Sequence, residues 1–387
     1  MYSKNRNWKS RTPKLLVLCP VVIGWIVLTG SVAAQDAPPV RPKAGTDYSP
    51  YPEQNFPNRV FFGDTHLHTS YSADAGMIGN TLGPDEAYLF AKGETVTSST
   101  GVKARLARPL DFLVVADHAE NLGLAPLLAA GDPKLLATEF GKVLKDQIDA
   151  GNPAGAWKIW SDSKATGKDP LANYQEIYQS AWSRITAAAE HHNQLGQFTA
   201  FIGFEWTSNP GKNNLHRNVI FRGGKQNADT VIPFSNFDSF DPEDLWSWMA
   251  RFEEKTGDKL LAIPHNGNLS NGLMFDDVTL SSKKPLDRDY AERRSRWEPL
   301  YEVTQMKGDG EAHPMLSRTD EFADFETWDK GQLGPAPKTP DMLPREYARE
   351  ALKRGLSYEA ELGINPFKFG FSGSTDSHTS LATTTED

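Results

Sequence analysis

Cysteine is nearly absent. The 387-residue chain has one, Cys19, and it lies inside an apolar run near the start. Beyond it, disulfides, a thiolate nucleophile and cysteine-type zinc sites are excluded, so any metal must be held by nitrogen and oxygen. Positive charge is also scarce, with 41 Lys+Arg against 50 Asp+Glu. No basic cluster with interleaved aromatics occurs, which argues against a nucleic-acid partner. Walker loop, dinucleotide fingerprint, serine nucleophile elbow and internal repeats are missing as well.

The opening of the chain stands apart. Lys4, Arg6, Lys9, Arg11 and Lys14 precede LLVLCPVVIGWIVLTG (Leu15 to Gly30), and Val32, Ala33 and Ala34 follow. That order predicts a secretory signal peptide over residues 1–34, cleaved before Gln35, and a periplasmic or secreted protein. An uncleaved anchor is the rival reading, but the run is short for a span of roughly 20 apolar residues and contains Pro20. Cleavage removes five basic and no acidic residues, leaving 36 against 50, a balance of −14. No stable membrane partner is expected after cleavage. A small-molecule substrate is, and even an anionic one is admissible where bound cations dominate the local field. Residues 35–58 are rich in Pro and polar residues and read as a linker or arm, leaving 59–387 as one domain without an internal boundary.

From Arg59 onward, short apolar runs alternate with helical stretches. The expected strands are RVFFG (59–63), DFLVVA (111–116), FTAFIGF (198–204), NVIFR (218–222), LLAIP (260–264), YEVTQ (301–305) and FKFGFSG (367–373). Helices are expected at PDEAYLFAKG after Gly83, over 132–150 and 170–195, and from Pro242 and Pro344. Such alternation predicts an α/β fold with a parallel, helix-covered sheet. Almost every strand ends in a metal-ligand residue type: Asp64, His66 and His68; Asp117 and His118; Glu205; His265; Asp376 and His378. In a (β/α) barrel the carboxyl ends of the strands share one face, and that face carries the chemistry.

His-x-His at a strand end puts two imidazoles on the same side of the chain, with Leu67 turned into the packing. Alone the dipeptide is a weak signal, as often a pair of satisfied polar residues as a ligand pair. Asp376-x-His378 repeats the geometry with one oxygen ligand. Glu205 is placed to bridge two cations, and Asp117 to orient His118. His216 reads as a further ligand rather than a turn residue. Asp74, six residues after His68, is a ligand or an ordinary turn aspartate. His313 stands between substrate contact and loop structure. His191 and His192 read as solvent-facing, and Phe204 and Trp206 as core. Arg217 and Lys307 are candidate helpers that add positive charge near the substrate.

FFGDTHLHTSYSAD, DFLVVADH, IGFEWT, IPHN and GSTDSH, in that order, resemble the PHP (polymerase and histidinol phosphatase) superfamily over about residues 59 to 380. The fuller strings GFEWT…HRNVIFR, KGDGEAHP and DEFADFETWD look like an exported bacterial branch whose domain has no assigned function. The resemblance implies a distorted (β/α)7 PHP-type barrel with long loop insertions, binding two or three divalent ions (Zn, Mn or Fe). It implies a first ion on His66, His68, Glu205 and Asp376, a second on His118 and His378, and a third on Glu205, His216 and His265. It also implies hydrolysis of phosphate esters by a metal-activated water. Ser72-Ala73-Asp74 departs from the superfamily's usual string, which leaves Asp74 as an open second-ion ligand. Residues 120–197 and 306–340 read as insertions that form lids. Because the chain stops nine residues after His378, a longer natural protein is expected.

The leading expectation is an exported, metal-dependent phosphoesterase. Two alternatives stay open: an amidohydrolase-like enzyme cleaving C–N or carboxyl ester bonds, and a non-catalytic metal-binding module. The latter sits poorly with seven or more ligands, since structural sites close with four.

Overall fold

The computed structural model describes residues 59–329 and 337–382. The expected signal peptide and arm lie outside the described residues. Among the described residues ten strands occur: β1 (Gly63–Leu67), β2 (Val96–Thr97), β3 (Lys103–Ala104), β4 (Phe112–Val115), β5 (Thr199–Trp206), β6 (Arg217–Phe221), β7 (Leu260–Pro264), β8 (Leu300–Gln305), β9 (Gly308–Asp309) and β10 (Gly370–Gly373). Five of them form a curled sheet in the order β1-β4-β5-β6-β7, β10-β8-β9 form a second sheet, and β2-β3 a small ribbon.

The sheet is mixed, not parallel as expected. β1, β4 and β5 run parallel, whereas β6 is antiparallel to both neighbours. The cause is connection length: only residues 207–216 join β5 to β6, with a single 3-10 turn among them. A parallel crossover needs a dozen or more residues. The reversal brings the start of β6, not its end, to the rim where β1, β4, β5 and β7 finish. β10 runs parallel to β8. Beyond it, the Asp376 amide donates to the His66 carbonyl at 2.8 Å and the His68 amide to the Ser377 carbonyl at 2.9 Å, tying this segment to the end of β1.

β1 is displaced from the expected RVFFG. Phe61 and Phe62 are exposed, while Asp64, His66 and Leu67 are buried, so the strand comprises the polar residues themselves. The helix Pro242–Thr256 begins on Asp241, whose carboxylate accepts from the Glu243 amide, and ends at Gly257 with φ 72°. Leu245, Trp246, Met249 and Phe252 form its buried stripe. Pro84–Ala91 and Gln175–His192 also match expectation. The 132–150 stretch breaks into Pro133–Ala137 and Glu139–Asp149, because Thr138 is extended and caps the second helix. The last helix starts at Ala348, after a 3-10 turn at Leu343–Arg345, and runs to Leu362. Pro153–Ala165 and Arg288–Trp297 were not anticipated as separate helices. Phe204 and Trp206 are core, as expected.

Candidate metal centre

Successive side chains on a strand face opposite sides. On β1 this turns His66 inward, and the next inward position, His68, lies just past the strand end; Leu67 between them is fully buried in the core. Their Nε2 atoms stand 3.1 Å apart. Hydrogen bonds on the far nitrogens set the tautomers. His66 Nδ1 lies 3.0 Å from Glu302, a carboxylate that only accepts. Ser72 donates its one hydroxyl proton to Asp117 at 2.9 Å, so it accepts from His68 Nδ1 at 2.7 Å. Both Nε2 lone pairs therefore point at the same place.

Two carboxylates meet them there. Asp376 Oδ1 is 3.3 Å from His66 Nε2 and 3.1 Å from His68 Nε2. It is buried and has no hydrogen-bond donor. Glu205 Oε2 lies 3.8 and 3.4 Å from the same nitrogens. Acceptors gathered this closely repel one another unless a cation sits among them. The donor set, imidazole nitrogen and carboxylate oxygen, suits a divalent transition ion. His66, His68 and Glu205 form one of the buried triads with metal-ligating spacing.

Glu205 joins this group to its neighbours. Its Oε1 is 2.5 Å from His216 Nδ1 and 3.2 Å from His265 Nε2. His216 Nε2 is 3.2 Å from Asn209 Oδ1, so Nδ1 again presents a lone pair to the carboxylate. Burial lowers the His216 pKa to about 3, leaving the ring neutral. On the other side, Asp74 Oδ2 is 3.1 Å from His118 Nε2 and 3.2 Å from His378 Nε2. His378 Nδ1 donates to the Asp376 carbonyl at 2.9 Å, which leaves its Nε2 free as a ligand. Asp74, open on sequence grounds, thus stands among the candidate ligands. Asp376 and Asn266, both at the rim, have φ of +52° and +51°. Asp and Asn tolerate that left-handed conformation best among non-glycines, and packing on all sides holds it.

Several expected roles are corrected. Asp117 does not reach the His118 ring; it receives Thr69 and Ser72, and acts on His68 through the serine. Arg217 is paired with Trp206 across β5–β6, one position out of phase with Glu205. It therefore faces away from the histidines, bonded to Glu298 at 3.0 Å and to the Leu215 carbonyl. His313 is consumed by its own loop: Nδ1 accepts from the Met315 amide and Nε2 meets Asp329. His192 is buried against Tyr88 and bonded to Asp85, not solvent-facing. Lys307 is in place, its ammonium on Asp376 Oδ2. Residues missed from the sequence are Glu302, Ser72, Thr207, which contacts His118 Nδ1 at 2.6 Å, and Gln305, which donates to Asp376.

The cluster opens into a cleft of about 500 Å³, lined by Asp74, His118, His216 and His378 and, facing them, Trp160 and Lys164. The helix Pro153–Ala165, part of the expected 120–197 insertion, forms that facing wall.

Fold and site together define an α/β protein with buried histidine–carboxylate clusters able to hold metal ions. Residues 55–387 match the family described as "Protein of unknown function (DUF3604)", and the chain belongs to it. No curated protein matches the chain.

Proposed function

We propose that the protein is an exported metal-dependent hydrolase of the PHP type, acting on phosphate esters. One observation carries this reading: the two lone-pair-bearing Nε2 atoms of His66 and His68 converge on the orphaned Asp376 Oδ1 and on Glu205. His66, His68, Glu205 and Asp376 would hold a first divalent ion. Asp74, His118 and His378 would hold a second, and Glu205, His216 and His265 a third. When bound, such ions polarise a phosphoryl oxygen and bring the pKa of water down to about 7.

The chain's own residues do the rest. Glu302 and the Ser72–Asp117 pair lock the tautomers of His66 and His68. Lys307 supplies positive charge at the cleft, paired with Asp376. The helix Pro153–Ala165 forms the wall of the cleft opposite the histidines. The curled sheet supports the reading by bringing the candidate ligands to one rim at strand ends, with β6 contributing from its start.

The test is elemental analysis of the purified protein, with phosphatase and phosphodiesterase screening before and after chelation. Two or three ions per chain with chelator-sensitive phosphate release is the expected result. Bound metal without phosphoester turnover would redirect the reading to C–N or carboxyl ester cleavage or to a binding module. Folded protein that holds no metal would falsify it.

A further inference from the structure

The wall opposite the histidines holds a buried lysine without an ion pair among the described residues. Lys164 is only 9% exposed. Its ammonium has no hydrogen-bond or ion-pair partner among the described residues, yet it lines the cleft shared with Asp74, His118, His216 and His378. A buried ammonium without a counter-ion is costly and is rarely kept without use. Its position is held from two sides. The Nζ atom lies over the Trp160 ring at 4.6 Å, and that ring is 5.8 Å from the His118 imidazole. At the end of the helix, Asn236 donates to the Lys164 carbonyl at 3.0 Å.

The nearest compensating charge is incomplete. Glu120 is fully buried, and its Oε1 accepts from the Asn236 and Thr207 amides at 2.7 and 3.2 Å. Its Oε2 has no partner, and the carboxylate stays beyond ion-pair distance of Lys164 while still contributing to its field. Burial pulls the amine's pKa below the usual lysine value, and Glu120, Asp74 and Glu205 oppose that effect. The other lysines on the cleft are placed differently: Lys307 is paired with Asp376, Lys158 with Asp162, and Lys212 is exposed.

We propose that Lys164 is the anion receptor of the substrate cleft, taking a negatively charged oxygen of a small phosphorylated substrate on the face opposite the histidines. This rests on the cleft being the substrate site of the hydrolase proposed above. It assigns specificity to the 120–197 region and favours doubly charged monoesters, whose extra negative charge gains most from a second cation.

The experiment is calorimetric titration of inorganic phosphate into metal-supplemented full-length protein, comparing wild type, Lys164→Met and Lys164→Arg. Metal content is measured on the same samples. Losing one charge-assisted hydrogen bond should weaken phosphate binding at least about tenfold in Lys164→Met, while Lys164→Arg stays within about threefold of wild type. Phosphate binding as in wild type by a folded Lys164→Met overturns the proposal. Should Lys164→Met not fold, Lys164→Gln, which keeps a polar head but removes the charge, decides: phosphate binding as in wild type by that variant overturns the proposal. If wild type carries no metal, the hydrolase reading fails, and Lys164-dependent phosphate binding still stands or falls by the same titration.

Discussion

The two ends of the histidine cluster are built differently. At the inner end, His66, Glu205, Glu302 and Asp376 are at most 1% exposed in their side chains, and His66 has a dedicated carboxylate behind it. At the outer end, Asp74 and His378 are 16% and 15% exposed and His118 is 6%; Asp74 meets both imidazoles, and His118 Nδ1 reaches back to Glu205 Oε2 at 2.8 Å. His68 stands between, its ring 4.1 Å from His378 and 5.1 Å from His66. The inner end is a preorganised socket and the outer end is open to exchange. Under the proposed function, the buried end would hold an ion firmly and the exposed end would be the one reached from the cleft.

The largest effect should come from the residue that spans both ends. Glu205→Ala is expected to drop metal content below one ion per chain and to lower hydrolysis by on the order of 10³-fold, since ligation is worth several kcal/mol at the transition state. Elemental analysis and initial rates check this. A control lies on the opposite face of the adjoining strand. Arg217→Met leaves Glu298 with Arg294 as its one ion-pair partner and the Trp246 indole as a donor, and should cost about 3 kcal/mol of stability, with metal content unchanged in folded protein. Denaturant unfolding measures it, and metal loss without destabilisation would return Arg217 to the site.

Glu302→Gln should separate the ends. It removes the carboxylate behind His66 and is expected to weaken the inner ion by about 10–100-fold, leaving the outer one nearly untouched. Asp74→Asn should do the reverse, and competition titration with a chelator distinguishes the two. The smallest effect is a pH dependence at the outer end. Burial disfavours the charge on His118, but Asp74 and Glu205 outweigh it and raise its pKa to about 10 in the metal-free protein. A ligating imidazole must be neutral, so metal uptake near neutral pH expels that proton. Affinity should therefore rise with pH, approaching tenfold per unit for one released proton, and His118→Ala should flatten the slope.

Most of the candidate ligands were legible because each stands directly after, or beside, an apolar strand run. Glu302 was not. In Tyr301-Glu302-Val303-Thr304-Gln305 the alternation reads as one solvent face and one core face, yet the polar face looks into the cluster. Arg217 misled for the complementary reason: it neighbours His216 in sequence, but the pleat turns it outward. The direction of β6 depended on the length of the 207–216 connection, and the alternating runs carry no record of direction. The wall helix carried a visible start signal in Asn152-Pro153, but nothing in its composition said which residues it would face.

Thr65 meets Ser374 across 309 residues, and Asp64 meets Thr375 across 311. The first and last ligands are thus joined by nearly the whole described chain, and loop closure on that scale makes such contacts late events in folding. During synthesis, the inner socket stays incomplete until Asp376 has emerged. A partly made chain would offer His66, His68 and Glu205 without Asp376, so the proposed metal site would be completed only with the fold.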